Sequence, residues 1–363
     1  MKAWQFYSLA DWRLEEVPVP SPGQGEVLVK VKVVQASVTH ATILQGGPHP
    51  RADRLRQMLA AGEPLRLFGN EFSGEVVGTG NGVTRFMPGD RVACLTTRVP
   101  CGRCALCRSG QEEWCKAGPR VGYDLPGCFA EYGTVPETTL VGIPNTISFQ
   151  VGACVQPLTT PMGAMVAAHL DIGDTVAILG TGNLGFGTLQ LARMSGAGKI
   201  YVTARRKRII DFALELGADE AINVTEADPV KAMLELTGGF GVDVVFECAA
   251  GNPAQGLAGH ETIDQALAIV RNGGKIVQLS TYTGPLNYPV DTLKSRGVRY
   301  LPPVGLTQKE GDHLIHLLAK GYIKMEPLIT HAVHGLDKVP EAVKITGNKR
   351  AYDAILPCQV IVD

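Results

Sequence analysis

The chain has 363 residues, of which 45% are hydrophobic and 19% are charged, and its formal net charge is −1. These values are typical of a folded protein with more than one domain, and they argue against a basic surface for nucleic acid or an anionic membrane. The chain starts without a basic stretch followed by an apolar run, and no segment has the roughly 18 apolar residues of a membrane span. We therefore expect a cytoplasmic protein with a small-molecule substrate and no nucleic-acid or membrane partner.

Residues 1–156 are predicted to be rich in β-strand. Glu26–Val34 alternates apolar and polar side chains, as a half-buried strand does, and Phe72–Val77 predicts another strand. Met87–Val92 predicts a turn that leads into a strand, and residues 51–61 carry apolar side chains at helical spacing. We predict a β-rich domain of short strands that contains one helical segment.

Residues 157–302 alternate between strand and helix patterns. Such an alternation is typical of an α/β fold with a parallel, doubly wound sheet, the Rossmann arrangement. The predicted strands are Asp174–Leu179, Lys199–Thr203, Val242–Glu247, Lys275–Leu279 and Val298–Leu301, and the predicted helices are 180–192, 208–216 and 262–270. Another helix, His313–Ala319, and a β-rich tail follow. We expect the tail, within residues 303–363, to rejoin the first domain.

A glycine-rich segment lies between the first of these strands and its helix. It reads Gly180-Thr181-Gly182-Asn183-Leu184-Gly185, which fits G-x-G-x-x-G. The first glycine of this pattern makes a tight turn, the second lets a pyrophosphate approach the backbone, and the third lets helix and strand pack closely. The helix N-terminus presents free N–H groups to the phosphates. We predict that this segment, including Asn183 and Leu184, binds a dinucleotide.

The end of the next strand indicates which dinucleotide binds. An acidic residue about 20 positions after the glycines would bind the ribose 2′-hydroxyl of NAD. This chain has Ala204 there, followed by Arg205, Arg206, Lys207 and Arg208. Arginine can hold a phosphate with two parallel hydrogen bonds, so we predict NADP(H), bound by Arg205 and Arg206. A solvated, basic helix start is the alternative interpretation.

Four of the nine cysteines lie close together along the chain. Cys101, Cys104, Cys107 and Cys115 follow the spacing C-x2-C-x2-C-x7-C. In a reducing compartment this crowding indicates metal binding rather than disulfides, and four thiolates can surround one tetrahedral Zn²⁺. A closed set of four ligands leaves no position for a substrate. We predict one structural zinc ion per subunit, in a lobe of about residues 94–120.

Together these features resemble the zinc-containing medium-chain dehydrogenase/reductase family, of the alcohol dehydrogenase type. Besides the cysteine lobe and the glycine segment, Met87–Val92 is similar to the family's P-G-D-R-V, and Gly127–Tyr132 is similar to its G-G-F-A-E-Y. The resemblance covers essentially the whole chain. It implies a GroES-like catalytic domain beside the Rossmann domain, an active site in the cleft between them, and a homodimer or homotetramer.

The chain departs from this family at the three positions that usually hold a catalytic zinc ion. Thr39 stands in place of the first cysteine, Asn70 in place of the histidine of G-H-E, and Gln156 in place of the glutamate of E-P-L. Neutral hydroxyl and amide oxygens are poor ligands for Zn²⁺, which argues against a catalytic zinc ion. Thr39, Asn70 and Gln156 would instead line the catalytic site.

The resemblance implies roles for three further residues. His40 lies where the family often has a cation against the pyrophosphate, and Thr160 matches a threonine near the nicotinamide, so both are predicted to bind the cofactor. A surface histidine and an ordinary helix-start threonine are the alternatives. Glu71 is retained, but its usual place is behind the metal. Without the metal we expect Glu71 to pair with a nearby cation.

Without a Lewis acid, alcohol oxidation lacks its main means of stabilising an alkoxide. One hydrogen-bond donor stabilises an oxyanion by about 3 kcal/mol. This is more nearly sufficient where the negative charge spreads over an enolate than where it stays on an alkoxide. The leading hypothesis is an NADPH-dependent reductase of an activated C=C bond, of enone or enoyl type, with Asn70 and Gln156 as donors and Tyr123 as a candidate proton donor. An NADP-dependent alcohol or ketone dehydrogenase and a catalytically decayed NADPH-binding protein are the alternatives.

Four arginines lie in a segment that is longer than the family leads us to expect. They are Arg51, Arg54, Arg56 and Arg66. They prompt the hypothesis of an acidic substrate, such as a carboxylate or a CoA thioester, because a guanidinium group can give an anion two parallel hydrogen bonds. A solvated helix face is the alternative.

Overall fold

The computed structural model describes residues 1–251, 258–282 and 288–362, and the chain forms two compact units. The first unit contains Met1–Thr159 and Gly305–Asp363, and the second contains Thr160–Val304. These limits lie a few residues from the predicted boundaries at 156/157 and 302/303. No helix in the described ranges is both long enough and apolar enough to cross a membrane.

The first unit starts with a hairpin and continues with strands of a seven-stranded sheet. The hairpin strands are β1 (Lys2–Phe6) and β2 (Trp12–Glu16), and the sheet strands in this part are β3 (Glu26–Gln35), β4 (Glu71–Thr79), β5 (Arg91–Cys94), β6 (Tyr132–Pro136) and β7 (Leu140–Gly142). The alternation predicted for β3 is observed, since its valines 27, 29 and 31 are fully buried. The helices of this part are α1 (Val38–Leu44), α2 (Ala52–Leu59), α3 (Ala105–Arg108) and α4 (Phe149–Gly152).

The second unit is built on a parallel sheet with helices between its strands, as predicted. Its strands are β8 (Thr175–Leu179), β9 (Lys199–Ala204), β10 (Glu220–Asn223), β11 (Val242–Glu247), β12 (Val270–Gln278) and β13 (Arg299–Leu301), in the order β10-β9-β8-β11-β12-β13. Its helices are α5 (Val155–Ala168), which begins before the unit does, α6 (Asn183–Met194), α7 (Lys207–Glu215), α8 (Pro229–Leu236), α9 (Glu261–Ile269) and α10 (Val290–Arg296). This is the strand order of a doubly wound dinucleotide-binding sheet, which confirms the predicted fold class.

The remaining residues return to the first unit. They form α11 (Gln308–Ala319), β14 (Ala332–His334), α12 (Val339–Gly347) and β15 (Gln359–Ile361). β15 pairs antiparallel with β3, so that Gln359 lies opposite Gln35. The prediction of a β-rich tail was wrong, because the longest element after α11 is the helix α12. Its buried side chains recur at helical spacing, at positions 339, 342, 343 and 346, and Ile345 is buried beside them.

Candidate functional site

The four predicted cysteine ligands form one cluster. The Sγ–Sγ distance is 3.5 Å for Cys104–Cys107 and 3.9 Å for both Cys101–Cys107 and Cys104–Cys115. Four sulfurs about 2.3 Å from one tetrahedral zinc ion would be about 3.8 Å apart, so the cluster fits such an ion. Backbone N–H groups of Cys101 and Cys104 donate to Sγ of Cys115 and Cys101, each at 3.4 Å. In the described ranges this is the one group of three or more Cys, His, Asp or Glu side chains that could hold a metal ion.

The glycine segment has the geometry that each glycine's predicted role requires. Gly180 has a φ of 92°, and a Cβ there would lie 2.4 Å from the Cβ of Ala249. A Cβ on Gly185 would lie 2.0 Å from the carbonyl oxygen of Gly180, whereas a Cβ on Gly182 would meet no atom within 4 Å. Gly182 caps α6 without a side-chain hydrogen bond, so the first N–H groups of that helix can bind an anion.

Two threonines that the sequence did not single out hold this segment in place. Gly180 N donates to Thr203 Oγ1 at 2.8 Å, and Thr181 Oγ1 donates to the Thr203 carbonyl oxygen at 3.2 Å. At the first turn of α6 the Oδ1 atom of Asn183 is buried without a hydrogen-bond partner. The half-buried Leu184 follows it. The segment therefore fits a dinucleotide, to which it offers a fixed backbone, free N–H groups and one unpartnered acceptor.

The basic residues predicted to select NADP follow the end of β9. Ala204 is its last residue and is buried. The exposed Arg205 follows, and the half-buried Arg206 is the N-cap of α7. Lys207 donates to Asp211 at 2.8 Å, one helical turn later. The end of β9 thus carries cations and, as the sequence indicates, no acidic side chain.

Asn70 directly precedes β4 and follows an unusual turn. Phe68 and Gly69 have φ angles of 65° and 68°, and this conformation costs on the order of 1–3 kcal/mol for a non-glycine residue. Phe68 N donates to the Gly122 carbonyl oxygen at 2.6 Å. A Cβ on Gly69 would lie 2.4 Å from the backbone nitrogen of Phe129. Close packing therefore fixes the direction in which the Asn70 side chain leaves the backbone.

His40 determines which end of the Asn70 amide is available. Ser37 N donates to His40 Nδ1 at 3.2 Å, so the ring proton lies on Nε2. Nε2 then donates to Asn70 Oδ1 over 2.8 Å, which leaves the Nδ2 amino group of Asn70 as a hydrogen-bond donor. Burial lowers the pKa of His40 to about 3, so its ring is neutral at neutral pH.

This environment disagrees with the predicted phosphate contact of His40. The side chain has 0% exposure, and the ring centroids of Phe68, Phe129 and Tyr123 lie 5.0, 5.6 and 6.3 Å from its own. A phosphate contact requires a ring nitrogen with a free N–H group, whereas both ring nitrogens here already have partners. His40 instead holds the Asn70 side chain through its Nε2–Oδ1 hydrogen bond.

The other predicted catalytic residues lie on helices. Thr39 is in the first turn of α1 and Gln156 is in the first turn of α5, and both are half-buried. Thr160 lies one turn further along α5 and is also half-buried. All of these residues are in the described part of the chain, where no hydrogen bond joins the side chains of Thr39, Asn70 and Gln156. Asn70 is thus hydrogen-bonded to His40, and its side chain has no hydrogen bond to the other two predicted catalytic residues.

Glu71 is buried beside this position. It accepts a hydrogen bond of 2.6 Å from Gln35 Nε2, a contact that the sequence did not reveal. Burial raises the pKa of Glu71 to about 7, against the opposing effects of the Gln35 hydrogen bond and the charge of Lys349. The predicted cation is therefore Lys349, which acts on Glu71 through its charge, while the amide of Gln35 makes the direct contact.

Comparison with known proteins adds two family models and several relatives. A model described as alcohol dehydrogenase GroES-like domain matches residues 23–145, and one described as zinc-binding dehydrogenase matches residues 184–320. L-threonine 3-dehydrogenase of Pyrococcus abyssi is 32% identical over 339 residues, which cover 92% of this chain and 91% of the relative. Sorbitol dehydrogenase of Bacillus subtilis is 30% identical over 351 residues, which cover 95% and 93%.

A solved structure is similar over both units. It is a zinc-binding dehydrogenase from Sinorhizobium meliloti bound to NADP, with a TM-score of 0.84 and 29% sequence identity. The similarity covers 99% of this chain and 98% of that chain. The same architecture in that protein therefore accommodates a nicotinamide dinucleotide with a 2′-phosphate.

Proposed function

This chain belongs to the zinc-type medium-chain dehydrogenase/reductase family, and from this premise we propose that it reduces an activated C=C bond with NADPH and without a catalytic zinc ion. Membership makes it an oxidoreductase that depends on a nicotinamide dinucleotide. The finer proposal is supported by one observation above all. Asn70, at the position of a family metal ligand, is held by His40 with its amino group left as a donor.

The Asn70 amide is arranged as a hydrogen-bond donor rather than as a metal ligand. Its oxygen is engaged by His40 Nε2, and the remaining amino group has no lone pair to offer a cation. Thr39 supplies a hydroxyl and Gln156 a second amide, whereas Zn²⁺ sites are built from thiolate, imidazole and carboxylate groups. This donor set fits a developing oxyanion better than it fits Zn²⁺.

A conjugated carbonyl substrate suits such donors. NADPH, when bound, supplies the hydride. When the β-carbon of an enone gains that hydride, negative charge moves to the carbonyl oxygen, where the Asn70 amino group and the Gln156 amide would donate hydrogen bonds. One preorganised donor contributes about 3 kcal/mol to an oxyanion. Burial raises the pKa of Tyr123 to about 12, so its hydroxyl is protonated at neutral pH and is the proposed proton source for the α-carbon.

The preference for NADPH over NADH rests on the end of β9. Ala204 is buried where a carboxylate would bind a ribose 2′-hydroxyl, and Arg205 and Arg206 follow. Cations at this place attract a 2′-phosphate, and the missing carboxylate removes the group that would repel it. The bound NADP in the Sinorhizobium meliloti structure supports the same preference.

The relatives favour a second candidate, a dehydrogenase that acts on an alcohol or a ketone. Those that are 30–32% identical are named threonine and sorbitol dehydrogenases. Such a reaction would place the hydride on a carbonyl carbon rather than on the β-carbon. The two candidates therefore differ in where a label from the cofactor appears in the product.

The test uses NADPH carrying deuterium at the transferable position and a panel of enones, aldehydes and ketones. We expect deuterium at the β-carbon of the enone product, and equal rates before and after dialysis against a mild chelator that leaves one zinc ion per subunit. Deuterium on a carbinol carbon, with activity that needs added zinc, would replace the proposal by the second candidate. NADPH binding with no turnover of any compound would indicate a protein that has lost catalysis.

A further inference from the structure

Three arginines of the first unit lie close together beside Tyr123. Arg98 and Arg120 face each other across an isolated antiparallel bridge, and the guanidinium carbon of Arg51 lies 4.9 Å from the centroid of the Tyr123 ring. Burial, together with the charges of Arg51 and Arg98, lowers the pKa of the half-buried Arg120. Arg98 Nη1 is tied to the carbonyl oxygen of Cys115 at 2.9 Å. The cluster thus brings like charges together at fixed positions.

No carboxylate in the described ranges forms an ion pair with Arg51, Arg98 or Arg120. Asp124 acts on Arg120 through its charge, but neither of its oxygens bonds to the Arg120 guanidinium group. Oδ1 accepts from Arg54 Nη2 at 2.5 Å, and Oδ2 accepts from the backbone N–H of Arg120 at 3.0 Å. Half-buried cations without a counter-ion reduce the stability of the fold unless a ligand compensates. The cluster therefore indicates a binding site for an anion.

The cluster borders Asn70 through one tight turn. The Arg120 carbonyl oxygen accepts hydrogen bonds from the backbone N–H groups of Tyr123 and Asp124 at 3.2 and 2.9 Å. A Cβ on Gly122, inside this turn, would lie 3.2 Å from Asn70 Oδ1, so the turn packs directly on the Asn70 side chain. The backbone turn that carries Arg120 therefore lies directly against Asn70, the residue proposed to bind the oxyanion.

The structure changes the set of arginines that the sequence suggested for an acidic substrate. Arg54 pairs with Asp124, and Arg56 pairs with Asp53 at 2.6 Å, and both arginines are exposed. Arg66 is half-buried, but no contact within the described ranges joins it to the cluster. Of the four, Arg51 alone belongs to the cluster, and Arg98 and Arg120 join it from a different part of the chain.

We propose that Arg51 and Arg120 form a carboxylate-binding subsite beside Asn70, which selects conjugated substrates that carry an acidic group. This inference rests on the proposed function, because it places the charged end of a substrate beside the reacting end. A guanidinium group gives a carboxylate two parallel, charge-assisted hydrogen bonds, and two such groups at fixed positions also set its orientation. One amino group of Arg98 is held by the Cys115 carbonyl oxygen, and Arg98 raises the local positive charge.

The test compares an acid with its neutral ester, namely trans-4-oxopent-2-enoate and its methyl ester, which share the enone and differ in one charge. In the wild type we expect a lower KM for the acid. Arg120→Gln and Arg51→Gln should each raise the ratio of the acid KM to the ester KM by about tenfold. Arg56→Gln, an exposed and ion-paired arginine of the same segment, is the matched control and should leave the ratio unchanged. For Arg120→Lys this KM ratio should lie between those of the wild type and Arg120→Gln. If Arg120→Gln does not fold, Arg120→Lys is the variant that is compared with the wild type.

Several outcomes would overturn the subsite. One is an equal effect of Arg120→Gln on the KM values of acid and ester, and another is a weaker affinity for NADPH with no change in the KM ratio. A third is an increase in KM for crotonyl-CoA alone, since the phosphates of CoA would then be the anion that the arginines bind. If neither acid nor ester is reduced, calorimetric titration of the acid into the NADP⁺-loaded protein decides the question. Binding that Arg120→Gln weakens would support the subsite while the proposed reaction fails, and binding that it leaves unchanged would reject both.

Discussion

The Nε2 atom of His40 lies 2.8 Å from the Oδ1 atom of Asn70, and this bond joins the first turn of α1 to the residue before β4. The other ring nitrogen of His40 accepts the N–H of Ser37, so the protonation of the ring is decided by backbone geometry. An amide whose oxygen is held in this way cannot rotate to offer that oxygen to a ligand. The relationship predicts which changes should affect chemistry and which should affect only stability.

Replacing Asn70 by leucine removes the amide and keeps a side chain of similar size. If the amino group stabilises a developing oxyanion, kcat for an enone should fall by about 10²–10³-fold. Steady-state kinetics with the enone that the wild type reduces best measures this loss, and the affinity for NADPH should not change. Asn145→Leu, at an exposed asparagine, is the control. An Asn70→Leu variant with wild-type kcat would remove Asn70 from the mechanism.

His40 should make the protein lose stability as the pH falls below its ordinary pKa. In the folded state burial lowers the pKa of His40 from 6.5 to about 3, so between these values the unfolded chain binds the proton first. The stability that the neutral ring contributes is complete above about pH 6.5 and is lost progressively as the pH falls toward 3. The free energy of unfolding is measured with urea at pH 7, 5.5 and 4. The difference in this free energy between wild type and His40→Gln should become smaller as the pH falls. A difference for His40→Gln that stays constant from pH 7 to pH 4 would contradict the burial argument.

Two alanine substitutions in the glycine segment should have different effects, one on stability and one on the affinity for NADPH. Gly185→Ala places a Cβ 2.0 Å from the Gly180 carbonyl oxygen, so it should lower the free energy of unfolding by about 1–3 kcal/mol. Gly182→Ala places its Cβ in open space, so it should change stability by less than about 1 kcal/mol. Its methyl group occupies the approach of a pyrophosphate, so the Kd for NADPH should rise at least about tenfold. Thermal unfolding and fluorescence titration measure the two effects, and a Gly182→Ala variant with normal affinity would place the phosphates elsewhere.

Removal of one thiolate should remove the metal of the cysteine lobe. Elemental analysis of the wild type should give one zinc ion per subunit, and Cys107→Ser should give none, together with a lower Tm. Structural zinc binding contributes on the order of 10 kcal/mol to local folding, so loss of the zinc ion should lower the Tm. Cys248→Ser, at a half-buried cysteine outside the cluster, should keep the zinc. A second zinc ion in the wild type would contradict the proposal that the protein works without a catalytic metal.

The second unit could be predicted from the sequence because its signals are local. Each strand is a short apolar run followed by a helical pattern, and the glycine segment marks the first junction. β11 begins and ends where the sequence placed it, at Val242 and Glu247. The tail was harder, because α12 is short and follows a strand of three residues, β14. Neither element is long enough for its pattern of apolar residues to identify it as a helix or a strand.

The chemistry around Asn70 could be predicted only in part. The replacement of metal ligands is visible in single residues, but the partner of Asn70 is 30 residues away along the chain. One local signal existed, since Ser37 and His40 have the spacing of a capping box, in which the third residue of the helix turns back to the cap. The arginine cluster gave no such signal, because it joins Arg51 to residues near 98 and 120 that meet only after folding.

The pairing of β15 with β3 has a consequence for how the chain folds during synthesis. Val34 lies opposite Val360, so one strand pair of this sheet joins residues separated by the whole second unit. The second unit is continuous in sequence and can form as soon as it has left the ribosome, whereas the sheet that carries Gln35 must wait for its last strand. Nascent chains that stop before β15 should therefore expose the end of β3 at Val33–Gln35 to chaperones or to other strands, even when the middle of the chain is already folded.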